Sequence, residues 1–152
     1  MLKVNIVCVG SIKEKFYVDA INEYKKRLSR FCTLTITEVN ELSEQTINKK
    51  IELESQSLLR AVKGQVFVLD RCGKELSSPD LAELLKKTAD SGIGEVSFVI
   101  GGSNGVSEEL LSKSKQNISF GKITFPHQLF RVVLLEQIYR AFSILNNSPY
   151  HK

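Results

Sequence analysis

Short apolar, β-branched runs alternate with amphipathic helical segments along this chain, and that alternation constrains its fold more than any other feature. The runs "LKVNIVCV" (2–9), "QVFVLD" (65–70) and "EVSFVI" (95–100) are typical of buried strands, and "TLTITEV" (33–39) alternates as a half-buried strand does. Segments with apolar residues at helical spacing separate these runs. The alternation predicts an α/β fold, with a mostly parallel sheet covered by helices on both faces.

The helical segments and the end of the chain complete this prediction. Helices are expected over 13–31, 44–63 and about 78–90, from Ser107 onward, and from Pro126 or Gln128 to Asn146. Ser78 followed by Pro79 predicts a helix cap, and so does Ser107 followed by two glutamates. The segments "NISF" (117–120) and "KITF" (122–125) are expected to be extended and separated by Gly121.

The site of such a sheet is expected beyond the carboxyl ends of its strands. In this chain those ends are Leu69-Asp70, Gly101-Gly102 and the 120–126 stretch. A ligand is therefore predicted to lie where these three segments meet.

Length and composition fit one domain spanning 1–152, with 42% hydrophobic and 25% charged residues. No apolar run approaches the ~20 residues that span a bilayer, and no signal-peptide pattern opens the chain, so a cytoplasmic protein without a membrane partner is expected. Cys8, Cys32 and Cys72 are odd in number and lack CxxC spacing. They predict neither a disulfide framework nor a metal site.

Charge is unevenly distributed along the chain. The net charge is +4, but residues 110–152 carry six cations against the single anion Glu136, so the remainder sums to −1. The cations are Lys113, Lys115, Lys122, Arg131, Arg140 and Lys152. This distribution favours an anionic partner such as nucleic acid about as much as an ordinary solvated face.

The last predicted helix is apolar nearly all round. Leu134, Ile138 and Phe142 mark one broad face, while Val133 and Ile144 fall on the opposite side. A helix of this kind is buried on two sides, and the second side is expected to meet another subunit. Arg131 lies within the apolar face, so it needs an anionic or carbonyl partner unless it extends to water.

The stretch "FVIGGSNGVS" (98–107) is a strand followed by a glycine turn, as in many phosphate-binding loops. It lacks the lysine and the spacing of a P-loop, does not match GxGxxG, and places Glu108 and Glu109 where phosphate would approach. Adjacent glycines instead allow a positive φ or a close approach by a ligand or backbone. The turn therefore suits a ligand that is recognised by shape and backbone groups.

Two polar features near the end of the chain have both functional and structural interpretations. His127 begins the last helix and could orient a substrate or relay a proton, or it could simply cap the helix. The terminal "SPYHK" offers stacking, hydrogen bonding and charge, which suits RNA, although a docked tail that closes an interface fits equally well.

Four segments together, "VLDRCGK", "FVIGGSNGVS", "ITFPHQLFRVVLLEQIYRAF" and "SPYHK", resemble the RlmH (YbeA-like) family of SPOUT methyltransferases. The resemblance extends over essentially the whole chain, including "KVNIVCVG" near its start. It implies an α/β knot, in which the C-terminal segment forms a deep trefoil. It also implies S-adenosylmethionine bound in that knot between the protomers of a homodimer. The implied reaction methylates N3 of a pseudouridine in a subunit-bridge stem-loop of 23S rRNA, within the assembled ribosome.

The resemblance also implies roles for particular residues. Cofactor contacts fall on Leu69, Gly101, Phe120, Gly121, Lys122, Ile123, Thr124 and Phe125. His127, Arg131, Arg140, Tyr150 and His151 match positions near the substrate. On this view His127 handles a proton, Arg131 or Arg140 stabilises negative charge that develops on the base, and Tyr150 and His151 bind the substrate.

Two other functions remain open at this point. A flavodoxin-like nucleotide-binding protein would contact phosphates at the strand ends. A non-catalytic RNA-binding module would use the basic C-terminal third, bind RNA with a strong salt dependence and have no cofactor site.

Overall fold

The computed structural model describes residues 1–43 and 45–151, so the predicted helix start at Glu44 and the charge of Lys152 lie outside the described residues. The elements are β1 (Lys3–Val9), α1 (Lys15–Leu28), β2 (Thr33–Val39), α2 (Ile47–Ala61), β3 (Gln65–Glu75), α3 (Ser78–Asp90), β4 (Glu95–Ile100), α4 (Glu108–Lys113), β5 (Gln116–Ser119) and α5 (His127–Leu145). None of these helices has both the length and the apolar character needed to cross a membrane.

The five strands form one sheet in the order β2-β1-β4-β3-β5, and every neighbouring pair is parallel. β1 and β4 lie inside the sheet, and their residues are buried almost without interruption, as expected for strands covered on both faces. β2 lies at an edge and carries more exposed residues. The predicted parallel α/β architecture is confirmed.

The helices divide between the two faces of the sheet. On one face Ile6 and Phe98 belong to a core shared with helices α1, α3 and α5. On the other face Val7 and Val99 pack with Leu58 of α2 and with α4. Adjacent residues of a strand point to opposite faces, so one apolar run supplies both cores. Helices on both faces were predicted and are confirmed.

The helices predicted over 13–31 and 44–63 are shorter, at Lys15–Leu28 and Ile47–Ala61, and two extended segments also differ from the prediction. β3 does not end at Asp70, because after an irregularity beyond Leu69 it pairs with β5 again at Lys74 and Glu75. The segment 122–125 is not part of a strand. The positive φ of Gly121 (117°) accompanies the departure of the chain from the sheet, and 120–126 is a loop that leads into α5.

The predicted cap of α3 is wrong by one residue. Ser77 is the cap, because its hydroxyl accepts from the Asp80 N–H at 3.1 Å while the Asp80 carboxylate accepts from the Ser77 N–H at 2.9 Å. Ser78 and Pro79 are therefore already within the helix. The predicted Ser107 cap of α4 is confirmed, since its hydroxyl accepts from the Leu110 N–H at 3.2 Å.

Candidate functional site

A cavity of about 490 Å³ lies where the three predicted segments meet, at the carboxyl ends of β4 and β5 and beside the irregularity of β3 after Leu69. Its walls come from residues 69–72 of β3, the glycine turn 101–106, the end of β5 with the loop that follows it, and the first residues of α5. Small-molecule sites commonly have volumes of roughly 300–1,000 Å³ and mostly apolar walls. The cavity is therefore large enough for a nucleoside-sized ligand.

The cavity collects most of the residues that the family resemblance assigned to a cofactor. Seven of the eight line it: Leu69, Gly101, Phe120, Gly121, Ile123, Thr124 and Phe125. Lys122 is not among the lining residues, and its side chain is exposed. The structure thus brings the expected residues together, and their role as cofactor contacts stays a prediction.

The glycine turn has its positive φ at Gly105 (90°) and not at the adjacent pair Gly101-Gly102. The pair is instead required by close packing. A Cβ on Gly101 would stand 2.5 Å from Cγ1 of Val106, and one on Gly102 would stand 2.6 Å from Oε1 of Glu54. The N–H of Gly105 donates to the carbonyl of Gly102 at 3.0 Å and closes the turn.

An aromatic wall and one histidine lie at the start of α5. The ring centroid of Phe130 is 5.7 Å from that of Phe120 and 6.0 Å from that of Phe125, and all three rings line the cavity. Such rings can pack against a flat heterocycle. His127 also lines the cavity, is exposed, and makes no side-chain hydrogen bond to any residue that the structure describes.

Three lining residues directly after Leu69 were not identified as contacts from the sequence. The Asp70 carboxylate accepts from the Cys72 N–H at 3.1 Å, and Arg71 donates to the Thr124 hydroxyl at 2.6 Å. Arg71 thereby ties β3, at its irregularity, to the loop before α5. Their position at the predicted strand end Leu69-Asp70 was the available signal. Within 1–43 and 45–151, no group of three or more His, Cys, Asp or Glu side chains could hold a metal ion.

Arg131 lies outside the cavity and is only 3% exposed. Its guanidinium forms an ion pair with the Glu38 carboxylate and donates to the Gly10 carbonyl at 3.1 Å. The predicted need for an anionic or carbonyl partner is confirmed, since both are present. These contacts join α5 to β2 and to the residue that follows β1.

A second group, the tail cluster, comprises the remaining expected residues Arg140, Tyr150 and His151 together with Glu136, which was not among them. The Tyr150 hydroxyl and the Arg140 Nε each donate to the Glu136 carboxylate, at 2.9 and 3.0 Å. Arg140 also lies 3.2 Å from Nδ1 of His151 and 4.7 Å from the centroid of the Tyr150 ring. Burial and the bond to Glu136 raise the pKa of Tyr150 to about 12. The tail is thus docked on its own α5, away from the cavity.

Comparisons with known proteins agree with this architecture. The family described as "Predicted SPOUT methyltransferase" matches residues 2–151. A Clostridium botulinum (strain Okra / Type B1) protein named "Ribosomal RNA large subunit methyltransferase H" is 47% identical, over 99% of this chain and 100% of its own length. A Methanococcus vannielii relative is 45% identical, over 99% of this chain and 100% of its own length. This chain belongs to the SPOUT methyltransferase family.

Proposed function

We propose that this chain transfers a methyl group from S-adenosylmethionine to large-subunit ribosomal RNA, at N3 of a pseudouridine in the 23S rRNA stem-loop of the subunit bridge. Family membership supports methyl transfer, and the printed name of the Clostridium botulinum relative supports the class of RNA. The sequence resemblance supplies the nucleotide and the assembled ribosome as substrate. The observation that carries the proposal is the cavity that gathers seven of the eight expected cofactor residues.

The cavity suits the proposed cofactor in three respects. Its aromatic and aliphatic walls can hold an adenine, and the backbone of 120–125 offers polar groups. The glycine turn has no lysine to hold phosphates, which a sulfonium nucleoside does not require. Leu69, Gly101 and the run 120–125 would hold the group, with Lys122 included because both its neighbours line the cavity. When bound, S-adenosylmethionine supplies an activated methyl group, so most of the rate should come from positioning.

His127 is the residue we assign to proton handling. The imide nitrogen of pseudouridine is a weak acid, so a nearby base helps it to react. His127 lines the cavity, and its ring is exposed and has no hydrogen-bond partner among the described residues, which leaves the imidazole able to accept a proton. Arg131 is held by Glu38 and Gly10, and we assign it the positioning of the start of α5.

The tail cluster is the part of the chain that we assign to rRNA binding. Arg140 and Tyr150 already stack, and such a pair offers charge and an aromatic face to an unpaired base. The exposed cations Lys25, Lys26 and Arg30 lie at the end of α1, whose Arg27 is 5.7 Å from the Tyr139 ring. Tyr139 in turn contacts Tyr150, so basic surface continues from α1 to the tail.

The homodimer, the trefoil knot and a cytoplasmic location form part of the same proposal. Val133 and Ile144, on one side of α5, are only partly buried within the chain, which supports a second copy packing on this side of the helix. The ribosome as substrate supports the cytoplasmic location. We expect the trefoil knot to involve the 120–126 loop.

Labelled S-adenosylmethionine, purified protein and ribosomes that lack the modification provide the deciding test. Label should appear at a single pseudouridine of 23S rRNA, and isolated small subunits should remain unlabelled. Absence of transfer to ribosomal RNA would contradict the proposal. Binding of ATP, FMN and S-adenosylmethionine, measured side by side, separates the proposed function from that of a flavodoxin-like protein, which would bind the two phosphate-bearing nucleotides. Salt-dependent RNA binding without any cofactor affinity would instead indicate a non-catalytic RNA-binding module.

A further inference from the structure

Glu54 of α2 is a buried carboxylate with one unsatisfied oxygen. Its side chain is 1% exposed, and Oε2 accepts from the Leu42 N–H at 3.0 Å. Oε1 has no hydrogen-bond partner within the parts of the chain that the structure describes. Buried polar atoms are nearly always paired, so an unpaired carboxylate oxygen needs a physical explanation.

The unpaired oxygen points at the glycine turn of the cavity. Oε1 stands 2.6 Å from the place where a Cβ on Gly102 would be, and Gly102 lines the cavity. The same helix supports the turn at two further points. The hydroxyl of Ser55 accepts from the Ser107 N–H at 2.8 Å, and Lys50 donates to the Ser103 hydroxyl at 3.5 Å. Glu54 therefore contacts Gly102 of the cavity wall, and Ser55 and Lys50 of the same helix hold the neighbouring residues of that segment in place.

The charge of Glu54 is not neutralised by an ion pair. Across residues 1–43 and 45–151 no cation lies within 4.0 Å of its carboxylate, and the Lys50 ammonium is 3.6 Å from Glu41 instead. Two charged residues line the cavity itself, Asp70 and Arg71, and their charges are opposite. An ionised Glu54 would add one negative charge behind the cavity wall, and such a charge acts over a longer range in poorly solvated surroundings than in water.

We propose that Glu54 makes the cavity discriminate between the sulfonium cofactor and its thioether product. This inference rests on the proposed function. Methyl transfer converts the sulfonium into a neutral thioether, so the product carries one positive charge fewer than the cofactor. A fixed negative charge behind Gly102 stabilises the first ligand more than the second. Glu54 would thus favour loading of the cofactor and release of the spent product.

Calorimetric titration of wild type and Glu54→Gln with S-adenosylmethionine and S-adenosylhomocysteine tests this role. The amide keeps the shape of the side chain and removes its charge. Affinity for the sulfonium should fall about tenfold, while affinity for the thioether should change less than about twofold. Glu54→Asp, which keeps the charge, should retain the wild-type ratio of the two affinities. Glu52→Gln, an exposed carboxylate on the same helix, is the matched control and should leave both affinities unchanged.

The outcomes separate the possible failures. Equal losses for both ligands would mean that Glu54 only shapes the turn, and two unchanged affinities would mean that it has no part in binding; either result overturns the inference. A wild-type chain that binds neither ligand would overturn the proposed function as well. If Glu54→Gln fails to fold, judged by circular dichroism, Glu54→Met supplies the comparison, because it also removes the charge and keeps a side chain of similar length beside Gly102.

Discussion

His127 at the start of α5 and the tail cluster on its second half differ in whether their polar groups already have partners. At the first turn, His127 faces the cavity with no side-chain hydrogen bond among the described residues. From the middle of the helix onward, Glu136 and Arg140 are engaged with each other and with Tyr150 and His151. A partnered group must give up contacts before it binds another molecule, whereas an unpartnered group need not. His127, at the first end, can therefore react without losing a contact, whereas the tail cluster, at the second end, is a surface whose side chains already contact each other.

Replacing His127 removes the free group at the first end and should have the largest effect. Loss of a general base typically lowers the rate by about 10²–10⁴-fold. For His127→Ala we expect turnover on ribosomes to fall within that range, while cofactor affinity changes less than about twofold, because the cavity keeps its apolar walls. Single-turnover methylation and calorimetric cofactor binding measure the two quantities separately.

The neighbouring Gln128→Ala is the control for this variant, since Gln128 does not line the cavity. Its turnover should match that of the wild type. Unchanged turnover in His127→Ala would remove the histidine from the mechanism. A parallel loss of cofactor affinity would instead show that His127 shapes the cavity.

Arg131 sharpens the comparison, because it lies near the first end of α5 yet, like the tail cluster, is held by an ion pair and a hydrogen bond. Breaking a buried ion pair costs about 3–5 kcal/mol, and Glu38 is 40% exposed, so Arg131→Met should lower the free energy of unfolding by about 2–3 kcal/mol. Arg140→Met should cost less than about 1 kcal/mol, because the Arg140 side chain is 26% exposed against 3% for Arg131. Urea denaturation measures both.

The difference between the stability losses of the two variants decides whether Arg131 has a structural role. Equal losses of stability would contradict the structural role of Arg131. A large loss of turnover in Arg131→Met at unchanged stability would instead place its guanidinium in the reaction, as the family resemblance first suggested.

The architecture could be read from the sequence because each central strand is apolar on both faces, and only a parallel sheet covered by helices accommodates such runs. The same logic located the cavity, since parallel strands gather their carboxyl ends at one edge. Element boundaries were harder. The polar residues after Asp70 continue β3 only because β5 pairs with them again, and that pairing depends on tertiary contacts.

Contacts between side chains that are far apart along the chain could not be predicted from the sequence, for a related reason. The Arg131–Glu38 pair joins residues 93 positions apart, so the helix pattern revealed the need for a partner but not its identity. Glu54 looked like one charge among several in "KKIELESQ". Its importance comes from burial and from a missing hydrogen-bond donor, and both are properties of the folded chain alone.

The smallest expected effect concerns the second end of α5, through the acidity of Tyr150. Burial and the bond to Glu136 raise its pKa to about 12, above the usual value of about 10. The folded chain therefore holds this proton more tightly than the unfolded chain does. The resulting stabilisation is present below pH of about 10 and is lost as pH rises toward about 12.

Stopped-flow pH jumps that follow phenolate absorbance before unfolding can measure this pKa, with Tyr150→Phe subtracted to isolate the one phenol. In Glu136→Gln the midpoint should shift toward the usual value, because the carboxylate that favours the protonated phenol is gone. The exposed Glu83→Gln should not shift it. A wild-type midpoint near 10 would mean that the tail leaves α5 in solution. Tyr150 and Arg140 would then meet RNA as free groups, and the contrast between the two ends of the helix would disappear.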